Sequence, residues 1–192
     1  RFISIISHDL RTPFNSILGF VDLMLEDSAI TREDQVTYLN FIKDSSSYMY
    51  NLVNSLLDWT RLQTGRIKFE PETINANAYV RKSIDMLSGV ALQKNVEIVN
   101  ELPNDVYIYA DENLLLQVFN NIVSNAIKFL KPGGKIRINS RDISFERMVE
   151  FSIRDTGVGI KDENISKLFE VDKKLSTLGT HGEKGSGLGL SL

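Results

Sequence analysis

Ser7-His8-Asp9-Leu10-Arg11-Thr12-Pro13 sets an imidazole beside a carboxylate, with a hydroxyl one helical turn further on. On a helix, His8 lies roughly 140–160° around from the apolar seam of Ile3 and Leu10, on a polar face that it shares with Thr12 and Asn15. An exposed imidazole titrates near neutrality, and its unprotonated nitrogen can act as a nucleophile. Pro13 cannot donate to the carbonyl of Asp9 and its ring crowds that turn, so a kink is expected beside His8. A lone surface histidine usually does no chemistry, and this helix by itself leaves its role open.

Three further segments carry residue types that suit a nucleotide. In Asn120-Asn121-Ile122-Val123-Ser124-Asn125-Ala126-Ile127-Lys128-Phe129, Asn121 and Asn125 are four apart and share a helix face, with Lys128 close by. Amide oxygens can ligate Mg²⁺ beside phosphates, and an ammonium neutralises phosphate charge. The blander reading is a solvated polar stripe. Asp155-Thr156-Gly157-Val158-Gly159 places a carboxylate before two glycines that allow close backbone approach. Such a carboxylate can accept from the exocyclic amine of adenine, whereas guanine offers a carbonyl oxygen at that place. Gly185-Ser186-Gly187-Leu188-Gly189-Leu190 could turn backbone N–H groups toward phosphates at a helix start. It lacks the Lys-Ser/Thr ending of a Walker loop and the preceding strand of a Rossmann fingerprint. Ordinary turns explain many matches to either glycine motif taken alone. Residues 170–184 between these motifs are polar, with Lys173, Lys174, Gly179, His181, Gly182 and Lys184, a composition that suits a mobile lid or a plain surface loop.

These residues need two kinds of scaffold. Ile3, Leu10, Ile17 and Met24 recur every seven residues, and Ile6, Phe14, Val21 and Leu25 widen the stripe, which predicts a helix over residues 1–27. Thr31-x-x-Asp34 opens a second helix as a capping box, with Leu39, Ile42, Met49, Leu52, Val53 and Leu56 on its apolar side and Gly65 at its end. Two helices this long expose more apolar surface than one hairpin can hide. A homodimer burying both hairpins as a four-helix bundle solves this, and packing on a neighbouring domain is the alternative. After residue 65 the texture changes. Ile67, Phe69 and Ile74 suggest a strand broken near Pro71, residues 75–93 and 111–130 read as helices, and Pro132-Gly133-Gly134 closes the second of these. Residues 96–99 and 106–109, then Ile136 with Ile138 and Val149 with Phe151 and Ile153, read as strands. The expected organisation is a dimerisation and acceptor domain over 1–64, a linker over 65–71, and an α+β domain over 72–192.

Composition narrows the function classes. The 192 residues are 42% hydrophobic and 24% charged, ordinary for a globular protein. A net charge of −3 gives no general reason to expect direct nucleic-acid binding. There are no cysteines, which removes disulfides and thiolate metal sites and fits a reducing compartment. No apolar run approaches the roughly 20 residues of a membrane span. Both ends look cut, the first inside a helical pattern and the last just after a glycine run.

Taken in order, the four segments resemble the sensor histidine kinases of two-component systems, over essentially the whole chain. Ile6 to Pro13 looks like their phospho-acceptor box; the asparagine helix, Asp155 to Gly159, Leu168-Phe169-Glu170 and Gly185 to Leu190 look like the boxes of their ATP domain. The resemblance implies an all-α helical hairpin, dimerised as a four-helix bundle, followed by a two-layer α+β sandwich of the Bergerat ATPase type that is incomplete at its C-terminus. It implies Mg²⁺ and ATP, with Asn121, Asn125, Lys128, Phe129, Asp155, Gly157, Gly159, Phe169, Gly185, Gly187, Leu188 and Gly189 toward the nucleotide and Asn121 and Asn125 toward the metal. It further implies transfer of the γ-phosphoryl group to His8, with Asp9 orienting the imidazole or acting as base. Thr12 would align water in the reverse reaction on a response-regulator receiver domain. A cytoplasmic location follows, in a protein that elsewhere could be anchored in a membrane. Asp9 stands where Glu is more usual, Leu130 where Thr is frequent, and Val171-Asp172 replaces a proline-containing continuation. The run Asp172 to Thr177 resembles that of hybrid sensors. The rival readings are a docking module that binds nucleotide without transferring phosphate, and a conformational ATPase. The second would have no need of the acceptor box.

Overall fold

In the computed structural model, residues 2–26, 29–64, 68–166, 168 and 178–183 are described. They form two compact units, one up to residue 64 and the other over 68–168 together with 178–183.

The first unit is a helical hairpin. Helix α1 spans Phe2–Glu26 and continues through Pro13; helix α2 spans Arg32–Gln63. Thr31 starts α2 as a cap: its hydroxyl oxygen accepts the Asp34 backbone N–H at 3.1 Å and its own proton goes to the Asp34 carboxylate at 2.6 Å. The side chain at the fourth place therefore answers the cap hydroxyl rather than the cap N–H of the usual box. Gly65, expected to end α2, lies outside the described residues.

Each helix carries two apolar stripes rather than one. Leu10, Pro13, Ile17, Phe20 and Met24 of α1 are at least half-buried, as are Tyr38, Ile42, Met49, Leu52 and Leu56 of α2. The α1 row alternates steps of three and four, and so does the α2 row once half-buried Ser45 is counted between Ile42 and Met49, the spacing of near-parallel packing. Phe20 stacks on Phe41 with ring centroids 4.9 Å apart and lies 5.4 Å from Tyr38. A second row, Phe14, Leu18 and Leu25 on α1 with Val36, Leu39, Tyr50, Val53 and Leu57 on α2, remains exposed in the single chain. On α2 the two rows are centred roughly 100° apart around the axis, as suits a helix with two neighbours in a four-helix bundle.

The second unit is α+β. A two-stranded antiparallel pair joins β1 (Glu72–Asn75) to β3 (Tyr107–Ala110). In the other sheet, β4 (Lys135–Ile143) lies between β2 (Glu97–Asn100), which it pairs in parallel, and β5 (Met148–Asp155), which it pairs antiparallel. Helices α3 (Ala76–Gln93) and α4 (Glu112–Phe129) pack together, and a short α5 covers Asp162–Ile165. Val80, Phe119, Val123, Ile127, Leu130, Ile136 and Ile138 form the core, with Phe119 edge-on to Phe151 at 5.3 Å. Ile136 and Ile138 point inward while Arg137 and Asn139 are exposed, the period of a half-covered strand.

The strand expected from Ile67 through Ile74 is shorter than its apolar residues suggest. Residues 68–71 are irregular and Phe69 is exposed. The Glu70 N–H donates instead to Asp111 Oδ2 at 3.0 Å, and Pro71 has no N–H for a ladder. Asp111 also caps α4, its Oδ1 accepting from the N–H groups of Asn113 at 3.0 Å and Leu114 at 3.1 Å. These bonds, the Glu70 one foremost, hold its carboxyl below the usual range despite burial.

Candidate nucleotide site and acceptor helix

Helix α4 places Asn121 and Asn125 one turn apart and both half-buried, while Phe119, Val123, Ala126 and Ile127 take the core side. The helix ends where Leu130 turns into extended backbone, fully buried. Lys128 and Phe129 occupy its last turn, the Lys128 ammonium lying 4.7 Å above the Phe129 ring. Desolvation lowers the Lys128 pKa, partly offset by the Glu183 carboxylate and reinforced by the Lys94 charge. An anionic ligand at this place would favour the charged ammonium.

The loop after β5 closes against the same helix end. Thr156 and Lys135 exchange two bonds: the Thr156 N–H donates to the Lys135 carbonyl at 3.1 Å, and the Lys135 N–H to Thr156 Oγ1 at 3.0 Å. The Val158 N–H donates to the Phe129 carbonyl at 3.3 Å. Asp155 is exposed; its Oδ1 accepts the Gly157 N–H at 2.8 Å, which leaves Oδ2 for a donor on a ligand. A Cβ at Gly157 would stand 2.6 Å from that Oδ1 and 2.9 Å from the Phe129 carbonyl oxygen, so glycine is required. Gly159 has φ +71°, a conformation open to glycine.

A third piece, Leu178–Glu183, reaches the helix end from later in the chain. The Thr180 N–H donates to the Lys128 carbonyl at 3.1 Å, and its hydroxyl bonds to the Leu130 carbonyl. Lys94, only 4% exposed, donates from Nζ to the Lys128 carbonyl and to Glu183 Oε1, both at 2.6 Å. Glu183 Oε2 accepts the His181 N–H at 2.8 Å. Burial raises the Glu183 pKa, but the Lys94 bond and the backbone N–H bonds outweigh it and hold the carboxyl below its usual range. Its contribution to stability is thus present above the ordinary carboxylate range and fades as pH falls through the lowered value.

The structure therefore brings Asn121, Asn125, Lys128, Phe129, Asp155, Gly157 and Gly159 into one region of the second unit. Phe169, Gly185, Gly187, Leu188 and Gly189 lie outside the described residues. In the first unit, His8 falls within α1, with Asp9 half-buried and Thr12 exposed. The pattern of the sequence offered no signal for Lys94 or Glu183: Lys94 sits between Gln93 and Asn95, where a lysine reads as a solvated helix end.

Comparison with known proteins matches this arrangement. Residues 1–65 match the model of the His Kinase A (phospho-acceptor) domain, and residues 110–192 match that of the histidine kinase-, DNA gyrase B- and HSP90-like ATPase. The catalytic domain of the histidine kinase ThkA is 30% identical, with a TM-score of 0.54 over 64% of this chain and 76% of that one. The chain belongs to the histidine kinase family. Its sequence is that of a sensor histidine kinase core, an acceptor hairpin followed by the ATPase-type domain. ThkA solved with the response regulator protein TrrA aligns at a TM-score of 0.74 and 25% identity, over 92% of this kinase chain and 51% of that one. Among curated relatives, DivJ of Caulobacter vibrioides is 30% identical across 100% of this chain and 32% of its own length. LuxQ of Vibrio parahaemolyticus, an autoinducer 2 sensor kinase/phosphatase, is 31% identical across 100% of this chain and 23% of its own. The chain thus spans about a third or less of these two relatives. No described helix is long and apolar enough to cross a membrane.

Proposed function

We propose that this kinase core binds Mg-ATP on the α4 face and transfers the γ-phosphoryl group to His8, from which a response-regulator aspartate takes it. The supporting observation is the shared α4 face of Asn121, Asn125 and Lys128, ending against the Asp155–Gly159 loop, in a chain that also matches a phospho-acceptor domain. A ring nitrogen of His8 forms the N–P bond as the bond from the γ-phosphorus to the bridging oxygen breaks and ADP leaves. The proton on the other ring nitrogen is held by Asp9. Such transfers depend on positioning and charge neutralisation, which Lys128 supplies at the phosphates.

The donor set fits a hard cation held jointly with phosphates. Asn121 and Asn125 offer neutral amide oxygens, and among the described residues no group of three or more His, Cys, Asp or Glu could hold a metal without the nucleotide. When bound, Mg²⁺ would neutralise charge on the phosphates, with Asn121 and Asn125 as its protein ligands. Incubation with γ-labelled ATP tests the reading: label stable to alkali and lost in acid marks phosphohistidine. Nucleotide binding without such label would identify a docking module instead.

The base preference follows from Asp155, whose second oxygen faces an amine in adenine and a carbonyl in guanine. ATP is expected to bind well ahead of GTP, and Asp155→Asn to weaken ATP more than roughly threefold without unfolding, since the residue is exposed. Equal affinity for ATP and GTP, measured by calorimetry, would count against the assignment.

The hairpin's exposed stripe also calls for a partner, and a second copy of the same hairpin supplies a matching one. Val53→Asp is expected to turn a sedimenting dimer into a monomer while helicity is kept, because Val53 belongs to the outer row rather than the row between α1 and α2. A parent chain that sediments as a monomer at micromolar concentration sinks the dimer. Hydrolysis of the regulator's phospho-aspartate to free phosphate, with Thr12 aligning the attacking water, and a cytoplasmic setting for this core complete the reading.

A further inference from the structure

The ion pair of buried Lys94 with the partly exposed Glu183 has no part in the chemistry just described, yet it converges on the residue assigned to the phosphates. Lys94 reaches Glu183 across 89 residues of sequence. Its ammonium also caps the C-terminal end of α4 at the Lys128 carbonyl, where a cation meets the negative end of the helix dipole. The Glu183 carboxylate is used on both sides, Oε1 by Lys94 and Oε2 by the His181 N–H. This closes a small loop: the Gly179 N–H donates to the Glu183 carbonyl at 2.9 Å, and the Gly182 N–H to the Gly179 carbonyl at 2.9 Å.

The loop lies directly on the arm of Lys128. A Cβ at Gly179 would collide with Glu183 Oε2 and stand 2.7 Å from Lys128 Cγ and 2.8 Å from the Lys128 carbonyl oxygen. Backbone thus covers the stem of the lysine on one side, and the Phe129 ring lies under its ammonium. A four-carbon stem normally samples many rotamers, and this packing removes most of them.

We propose that Lys94 and Glu183 are a positioning pair: their ion pair pins Leu178–Glu183 to the end of α4 and so fixes Lys128 toward the phosphates of the nucleotide. The proposal rests on the nucleotide site assigned above. It acts through Lys128 alone, so phosphate-bearing ligands should feel its loss and the bare nucleoside should not.

The test compares ATP and adenosine by calorimetry for the parent chain, Glu183→Gln, Lys94→Met and Lys94→Arg, with amide hydrogen exchange at Thr180 followed in each. Glu183→Gln keeps the size of the side chain and an acceptor for His181 while removing the charge. ATP affinity should fall roughly tenfold in Glu183→Gln and Lys94→Met, with adenosine affinity unchanged. Exchange at Thr180 should quicken in the same two variants, and Lys94→Arg should recover most of both. In labelling assays the apparent KM for ATP should rise with kcat held within about twofold. Unchanged ATP affinity overturns the proposal, and so does an equal fall for ATP and adenosine, which would mark general damage. A parent chain that binds neither ligand would instead remove the nucleotide site, and the proposal with it.

Discussion

A His8→Gln chain is expected to incorporate no acid-labile phosphate from γ-labelled ATP, a loss of at least roughly a thousandfold in labelling rate. Glutamine keeps polarity and helix propensity but has no nitrogen lone pair able to attack phosphorus. Position 8 lies inside α1, so the backbone should be unaffected and the dimer retained. The neighbouring residues should separate from it by function. Asp9→Asn removes the charge proposed to hold the ring proton and should slow labelling by about 10²–10⁴-fold with ATP affinity little changed. Thr12→Ala, one turn on and exposed, should leave labelling intact and abolish most dephosphorylation of a phosphorylated regulator. Rates of both reactions with purified regulator decide the matter. Label that persists in His8→Gln moves the acceptor elsewhere; an equal loss of both activities in Thr12→Ala makes that residue structural.

Asn125→Ala should have the second-largest effect. If its amide ligates the metal, removal leaves Mg²⁺ short of a protein ligand where charge builds on the transferring group. The labelling rate is then expected to drop by roughly 10²–10³-fold. Stability should hardly change, because Asn125 is half-buried while the neighbouring Ala126 and Ile127 carry the core contacts. Alanine is also the best helix former at an interior position. Chelation of divalent metal should reproduce the loss in the parent chain and add little in the variant. Parental labelling by Asn125→Ala, with an unaltered melting transition, would return this residue to the solvated polar stripe that the helix pattern also allows.

Read by itself, the sequence determined the elements and their kinds. The seven-residue recurrence from Ile3 to Met24 and the alternation through Ile136 and Ile138 are local consequences of helical and strand periods, and the structure follows both. The ordered set of segments, from the box around His8 through the asparagine helix and Asp155 to Gly159 to the run Gly185 to Leu190, was enough to name a family, because each carries residue types whose spacing suits one chemistry. Where Pro71 breaks a pattern, the local signal misled: the apolar residues at 67 and 69 suggested strand, and a distant carboxylate, Asp111, took the Glu70 N–H instead.

Only the tertiary structure decided which side chains meet across large sequence distances. It put the carbonyl of Phe129 against the Val158 N–H, so that the glycine loop ends on the asparagine helix. It divided the apolar surface of the hairpin into an inner and an outer row, since burial depends on what the opposite helix presents. It buried Lys94, whose neighbours in sequence are polar, by joining it to Glu183 and the end of α4. A charge enters a protein interior only when a partner from elsewhere in the chain compensates its lost hydration. Periodicity carries no record of such a partner, because the pairing is fixed by the fold and not by neighbours in sequence.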